Sequence, residues 1–102
     1  MIVYNTTFHT DDANEERFLE WLKTVFIPKA LENGILSDPR LTRVFNHNGD
    51  NGQSYSLQFR TETIDGLSQW YETTGNTLVE TLGKQFGEAV AGFSTLLEEM
   101  EL

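Results

Sequence analysis

The sequence has no cysteine. That removes disulfides, thiolate metal sites and cysteine nucleophiles, and it fits a reducing compartment. Basic residues are few: 7 Lys and Arg against 16 Asp and Glu, for a net charge of −9 and an isoelectric point near 4.4. The seven are scattered, at Arg17, Lys23, Lys29, Arg40, Arg43, Arg60 and Lys84. Phosphate-backbone affinity rests on clustered cations, so nucleic acid is not an expected partner. An anionic membrane surface is disfavoured for the same reason. No apolar run approaches the roughly 18 residues a membrane span needs. The opening MIVYNTTFHTDD lacks a basic and then an apolar stretch, so it does not read as a secretory signal. The expected location is cytoplasmic. The chain also lacks a G-x-S-x-G elbow and a glycine-rich strand-to-helix phosphate loop.

What is present suffices for one folded domain over residues 1–102, with 38% hydrophobic and 12% aromatic residues. Ile2, Tyr4, Thr6 and Phe8 alternate with Val3, Asn5, Thr7 and His9, which predicts a first strand with the former set facing the core. Asp12 followed by Glu15 resembles a capping box opening a helix. Its apolar stripe runs through Phe18, Leu19, Trp21, Leu22, Val25 and Phe26. Pro28 ends or kinks this helix, or opens a short second turn, and Asn33-Gly34 stops it. LTRVFNHN and QSYSLQFRT flank the turn cluster Gly49-Asp50-Asn51-Gly52, predicting a β-hairpin between Leu41 and Thr61. In its second arm Tyr55, Leu57 and Phe59 face the core, while Ser54, Ser56, Gln58 and Arg60 face away.

Thr63 can cap a second helical region with Leu67, Trp70, Tyr71, Leu78, Val79, Leu82 and Phe86 as its stripe. Gly75-Asn76 is expected to break it into two segments, and Gly87 closes it. A last strand is expected over residues 89–100. The order β-α-β-β-α-β predicts an α+β, ferredoxin-like fold, with a four-stranded antiparallel sheet and helices on one face. No internal sequence repeat stands out beyond the β-α-β doubling.

Several patterns resemble one family along nearly the whole chain. They are M-I-V-Y-N at the start, W-L and then I-P in the first helix, and R-L-x-R entering the hairpin. Y-x-L-Q-F in the third strand and F-G followed by F-x-T-L-L-E near the end complete the set. They are similar to a family of small bacterial single-domain proteins classed only as a domain of unknown function. The resemblance implies a dimeric α+β barrel, in which two ferredoxin-like sheets close face to face. It assigns no activity, substrate or catalytic residue. Such a homodimer would cover the sheet face that the helices leave open. Val3, Phe93 and Leu97 are candidates for its apolar part.

The candidate ligand-binding groups of that face are Asn5, Thr7, His9, Arg43, Gln58 and Arg60. They point to a small molecule, anionic if Arg60 grips it, since guanidinium binds carboxylates bidentately. The competing reading of Arg60 is a pair with one of the chain's many acidic residues. No metal site is expected, because the two histidines, His9 and His47, lack a third ligand at a compatible spacing. Asn46, Asn48 and Asp50 echo a calcium loop, but Asn51 and Leu57 stand where it needs Gly and Glu. Haem-degrading members of the barrel superfamily pair a strand-one Asn with a Trp and a His on the second helix. Asn5 and Trp70 match that placing, but no histidine follows His47, and no cofactor is expected. One functional alternative is a cofactor-independent monooxygenase- or isomerase-like enzyme using His9, Arg60 or Asn5, and another is a protein-interaction module with an exposed apolar patch around Trp21 or Trp70.

Overall fold

The computed structural model describes residues 1–45 and 51–102. Half of the expected turn at 49–52, Gly49 and Asp50, lies outside these residues, and so does His47. Strand β1 is Ile2–Thr10, β2 is Ser37–Val44, β3 is Gln53–Thr61 and β4 is Val90–Glu98. They form one 4-stranded sheet in the order β2-β3-β1-β4, and every pairing is antiparallel. Helices α1 (Glu15–Trp21) and α2 (Ile27–Leu31) connect β1 to β2, while α3 (Ile64–Trp70) and α4 (Asn76–Phe86) connect β3 to β4. All four helical pieces lie on one face. This is the ferredoxin-like α+β fold, with β1 and β3 as central neighbours.

The predicted parity of the two central strands holds. Phe8, Tyr55, Leu57 and Phe59 are buried under the helices, and Tyr4 packs edge-on against the Trp70 ring with centroids 5.6 Å apart. Phe18, Leu22, Trp70 and Leu78 come down from the helices to meet them. Thr63 caps α3 as expected, its hydroxyl accepting from the Gly66 amide at 2.9 Å. The first cap differs. Asp11, not Asp12, accepts from the Asn14 amide at 3.0 Å, and a 3-10 turn over Asp12–Asn14 precedes α1. Glu15 is thereby released from a capping role and accepts instead from the Tyr55 hydroxyl.

Each helical region divides where the sequence suggested, at Pro28, which opens the short α2, and at Gly75-Asn76, where α4 begins, but the division is a π turn rather than a break. Each passes through a π turn, Leu22–Phe26 in the first and Tyr71–Gly75 in the second, and continues. The Ile27 amide bonds the Leu22 carbonyl and the Asn76 amide bonds the Tyr71 carbonyl, five residues back in each case. The inserted residue lets Pro28 enter the first turn of α2, where its missing N–H costs little. It also shifts the phase of the apolar stripe. Val25 and Val79, expected in the core, are 42% and 52% exposed, while Phe26 is buried as expected and Gly75 is buried as well. In β2 the register slips between Ser37 and Arg40, where Asp38 adopts φ +51° next to Pro39. An edge strand is where such an irregularity is tolerated.

Candidate functional site

The open face of the sheet carries Val3, Asn5, Thr7 and His9 from β1 beside Ser54, Ser56, Gln58 and Arg60 from β3, as the strand parity predicts. Thr7 faces Ser56 and His9 faces Ser54 across the ladder. Ser56 Oγ donates to Asn5 Oδ1 at 2.5 Å, and Asn5 Nδ2 donates to Thr7 Oγ1 at 3.3 Å. His9 Nε2 sits 3.1 Å from the Asn51 carbonyl, and Nδ1 sits 3.0 Å from Ser54 Oγ. A carbonyl only accepts, so Nε2 carries the hydrogen, and in the neutral ring Nδ1 accepts from the serine hydroxyl. Both nitrogens are engaged in tying β1 to the returning arm of the hairpin. Gly52 makes that approach possible: at φ +91°, an added Cβ would lie 2.2 Å from the Thr10 carbonyl and 2.9 Å from His9 Nε2.

Arg60 makes a bidentate pair with Glu99, Nε to Oε1 at 2.7 Å and the second guanidinium nitrogen to Oε2 at 3.0 Å. The hydrogen bond from Arg60 holds the Glu99 carboxyl below its ordinary value and raises the guanidinium in turn. Close by, Arg40 Nε lies 3.4 Å from Asp38 Oδ2. Val3 and Gln58 complete a cleft of about 400 Å3 with these four charges. Its two cations and two anions cancel. The cleft therefore has no net pull on an anion unless Glu99 or Asp38 is displaced.

The six predicted ligand groups do not converge. Gln58 and Arg60 share the cleft, Asn5 and Thr7 bond each other, and His9 is occupied at the far end of the strand. Arg43 is on the other side of the sheet altogether. It pairs with Tyr55 across β2 and β3, with its guanidinium carbon 5.9 Å from that buried ring. The apolar neighbour Leu41 shows why: it shares parity with Arg43 and packs toward the helices opposite Leu57. Arg40, Thr42 and Val44 are the β2 residues on the open face. Arg40, Asp38 and Glu99 were missed. The alternation around Leu41 could have pointed to Arg40, but Glu99 lies past the end of β4, where no period constrains it.

The superficial match to the haem-degrading pattern also comes apart. Asn5 is on the open face, while Trp70 is buried on the helix side and donates its indole N–H to the Ala30 carbonyl at 2.9 Å. Among the described residues no three His, Asp or Glu side chains gather as a metal would require. No described helix is long and apolar enough to cross a membrane.

Apolar groups flank the polar network. Phe93 and Leu97 of β4 lie on this face opposite Thr7 and Val3 and are 66% and 44% exposed. Val44 of β2, facing Ser54, is 41% exposed at the other edge. The open face is thus a hydrogen-bonded polar centre between two apolar margins.

Sheet order, helix placement and this uncovered face define a ferredoxin-like α+β protein. The chain belongs to the family described as a domain of unknown function, DUF4286, which matches residues 1–100. No curated protein matches it significantly in sequence. Among solved structures it is similar to a dimeric ferredoxin-like protein from an uncultured marine organism, with a TM-score of 0.70 and 16% identity over 100% of this chain and 98% of that one. An ethyl tert-butyl ether d family protein from Bacillus halodurans gives a TM-score of 0.69 at 17% identity, covering 98% of this chain and 100% of its own. A candidate antibiotic biosynthesis monooxygenase from Deinococcus radiodurans gives 0.69 at 13% identity, covering 100% and 95%. At these identities the likeness is one of fold.

Proposed function

We propose that the protein acts as a homodimer in which two open sheet faces close on each other, and that its role is small-molecule binding or structural rather than catalytic. The observation that carries this is the exposure of Phe93 and Leu97 on a face whose polar centre is already internally bonded. Burying a large apolar side chain is worth about 1.5–3 kcal/mol, so a twofold contact gains from both copies of each residue. Polar groups that already bond one another, as Asn5, Thr7 and Ser56 do, cost less to cover than unpaired ones. The similar ferredoxin-like protein from an uncultured marine organism is dimeric, which supports a homodimer.

An anionic ligand on Arg60 is the weaker part of the reading, because Glu99 already holds that guanidinium in both of its directions. The enzyme alternative has the fold likeness to a candidate monooxygenase behind it. It lacks a convergent set, since Asn5, His9 and Arg60 each serve a different partner.

Sedimentation at tens of micromolar should give twice the chain mass for the wild type, and Phe93→Glu should give the monomer with unchanged circular dichroism. The phenylalanine touches solvent more than core, so the fold survives its loss. A wild-type monomer, or a dimer indifferent to Phe93→Glu, would overturn the pairing.

A further inference from the structure

On the helix side, the edge strand β4 runs out from under α3 and leaves a groove of about 500 Å3 between them. Its walls are mostly apolar: Leu67 and Ile64 from α3, with Ser68 beside them, Leu96 from β4, and Tyr71 from the π turn. Ile64, Leu96 and Tyr71 are 51%, 48% and 42% exposed around this one depression. Single wet apolar side chains are ordinary, but several lining one concavity are the mark of a binding site.

The floor is polar and ordered. Thr6 Oγ1 lies 3.0 Å from Ser94 Oγ, which in turn lies 3.4 Å from the Tyr4 hydroxyl, so a file of hydroxyls runs beneath the apolar walls. Each of these oxygens keeps bonding capacity beyond the file. One charge faces the groove, that of Glu72, which forms no salt bridge among the described residues. The π turn shapes the wall on that side. At Gly75 an added Cβ would stand 2.7 Å from the Trp70 ring and 2.8 Å from the Tyr71 ring. The missing side chain lets Trp70 seat in the core and sets Tyr71 beside the groove.

We propose that this groove binds a small apolar amine. Its ring lies between Leu67, Leu96 and Tyr71, its ammonium pairs with Glu72, and the hydroxyl floor takes any further polar group. The volume suits a small molecule. The sign of the ligand follows from Glu72 and from the net charge of −9, both of which oppose an acid. A cation beside Tyr71 also gains from the ring face. The groove is on the opposite side of the sheet from the face assigned to pairing, so it is complete in one copy of the chain.

The test is a nuclear magnetic resonance titration of the 15N-labelled full chain with three probes of similar size: 2-phenylethylamine, 2-phenylethanol and phenylacetate. Saturable amide shifts are expected between Leu67 and Glu72 and between Ser94 and Leu96, at millimolar amine as suits so small a ligand. The amine should bind tightest and the acid weakest. Glu72→Gln should lower amine affinity by about 3- to 10-fold, the scale of one partly exposed ion pair, and leave the alcohol unchanged. Leu96→Trp, at an exposed position that tolerates bulk, should fill the groove and abolish all three. Four outcomes would overturn the proposal. They are no saturable shift with the amine, tightest binding by phenylacetate, an amine affinity indifferent to Glu72→Gln, and groove shifts produced by raising protein concentration alone. The last would make the groove a contact between copies.

Discussion

The unit β1–α1 and its counterpart β3–α3 carry the same marks in the same order. Phe8-His9-Thr10-Asp11 ends the first strand and Phe59-Arg60-Thr61-Glu62 ends the third. Thr10 and Thr61 are the buried polar residues among those described, at 0% and 2% exposure. Each helix then places a tryptophan immediately before its π turn, and a threonine three residues later bonds back to the carbonyl preceding the tryptophan. Thr24 Oγ1 donates to Glu20 O at 2.7 Å, and Thr73 Oγ1 donates to Gln69 O at 2.8 Å. Where the halves differ is in what the turn holds. Trp70 gives its N–H to Ala30, in the last turn of α2, where a carbonyl has no helical partner. Trp21 is buried in a cage of Phe18, Phe26 and Phe86, and its N–H has no partner among the described residues. At the close of the turn the first half has Phe26 and the second has Gly75. One local device thus serves two ends: a closed aromatic cluster in the first half, and in the second a strut between halves beside an open groove.

Removing the strut should have the largest effect. Trp70→Ala is expected to cost about 3–5 kcal/mol, as for other buried tryptophans. The sharper comparison is Trp→Phe at both sites by urea unfolding. Trp70→Phe strands the Ala30 carbonyl, whereas Trp21→Phe deletes a donor that was already unpaired, so the first should cost more by about 1–2 kcal/mol. Equal costs would mean that the indole bond to Ala30 carries no net stability. Gly75→Ala comes next. In an ordinary helix interior this exchange stabilises by up to about 1 kcal/mol. Here the added methyl meets two rings, and a loss of about 1–3 kcal/mol is expected instead. A stabilised Gly75→Ala would show that the rings yield easily, and the two halves would then differ less than their side chains suggest.

Much of the fold was legible because burial imposes a period. The parity of β1 and β3, the cap at Thr63 and the open polar face all follow from alternation and turn chemistry. The π turns were not legible, since one inserted residue leaves no mark of its own. The cost was the misplacement of Val25 and Val79. The internal repeat was hidden for a related reason: the strand ends and the tryptophans do not share one spacing, so no single offset aligns both. Of the candidate site, the β1 and β3 residues fell on the predicted face. Arg43 did not, because the strand's parity is set by Leu41 rather than by the chemistry of its arginines. Glu99 could not be paired with Arg60 from sequence, because tertiary contact alone brings them together.

The smallest expected effect concerns the equivalent positions His9 and Arg60. His9 spends both ring nitrogens on Ser54 and the Asn51 carbonyl. Arg60 spends its charge on Glu99 and holds that carboxyl below the ordinary value of 4.5. A carboxylate with a depressed folded value stabilises the native state above its unfolded value, and that contribution is lost as pH falls through the folded one. Glu99→Gln should therefore flatten the acid limb of the unfolding profile below about pH 4.5 slightly. Both partners are exposed at the sheet margin, so near neutrality the variant should unfold close to the wild type. Added salt should narrow even the acid difference, as it does for exposed pairs. A substantial loss at pH 7 would show instead that Glu99 is shielded in the assembled protein, which would place the sheet margin inside the contact between copies.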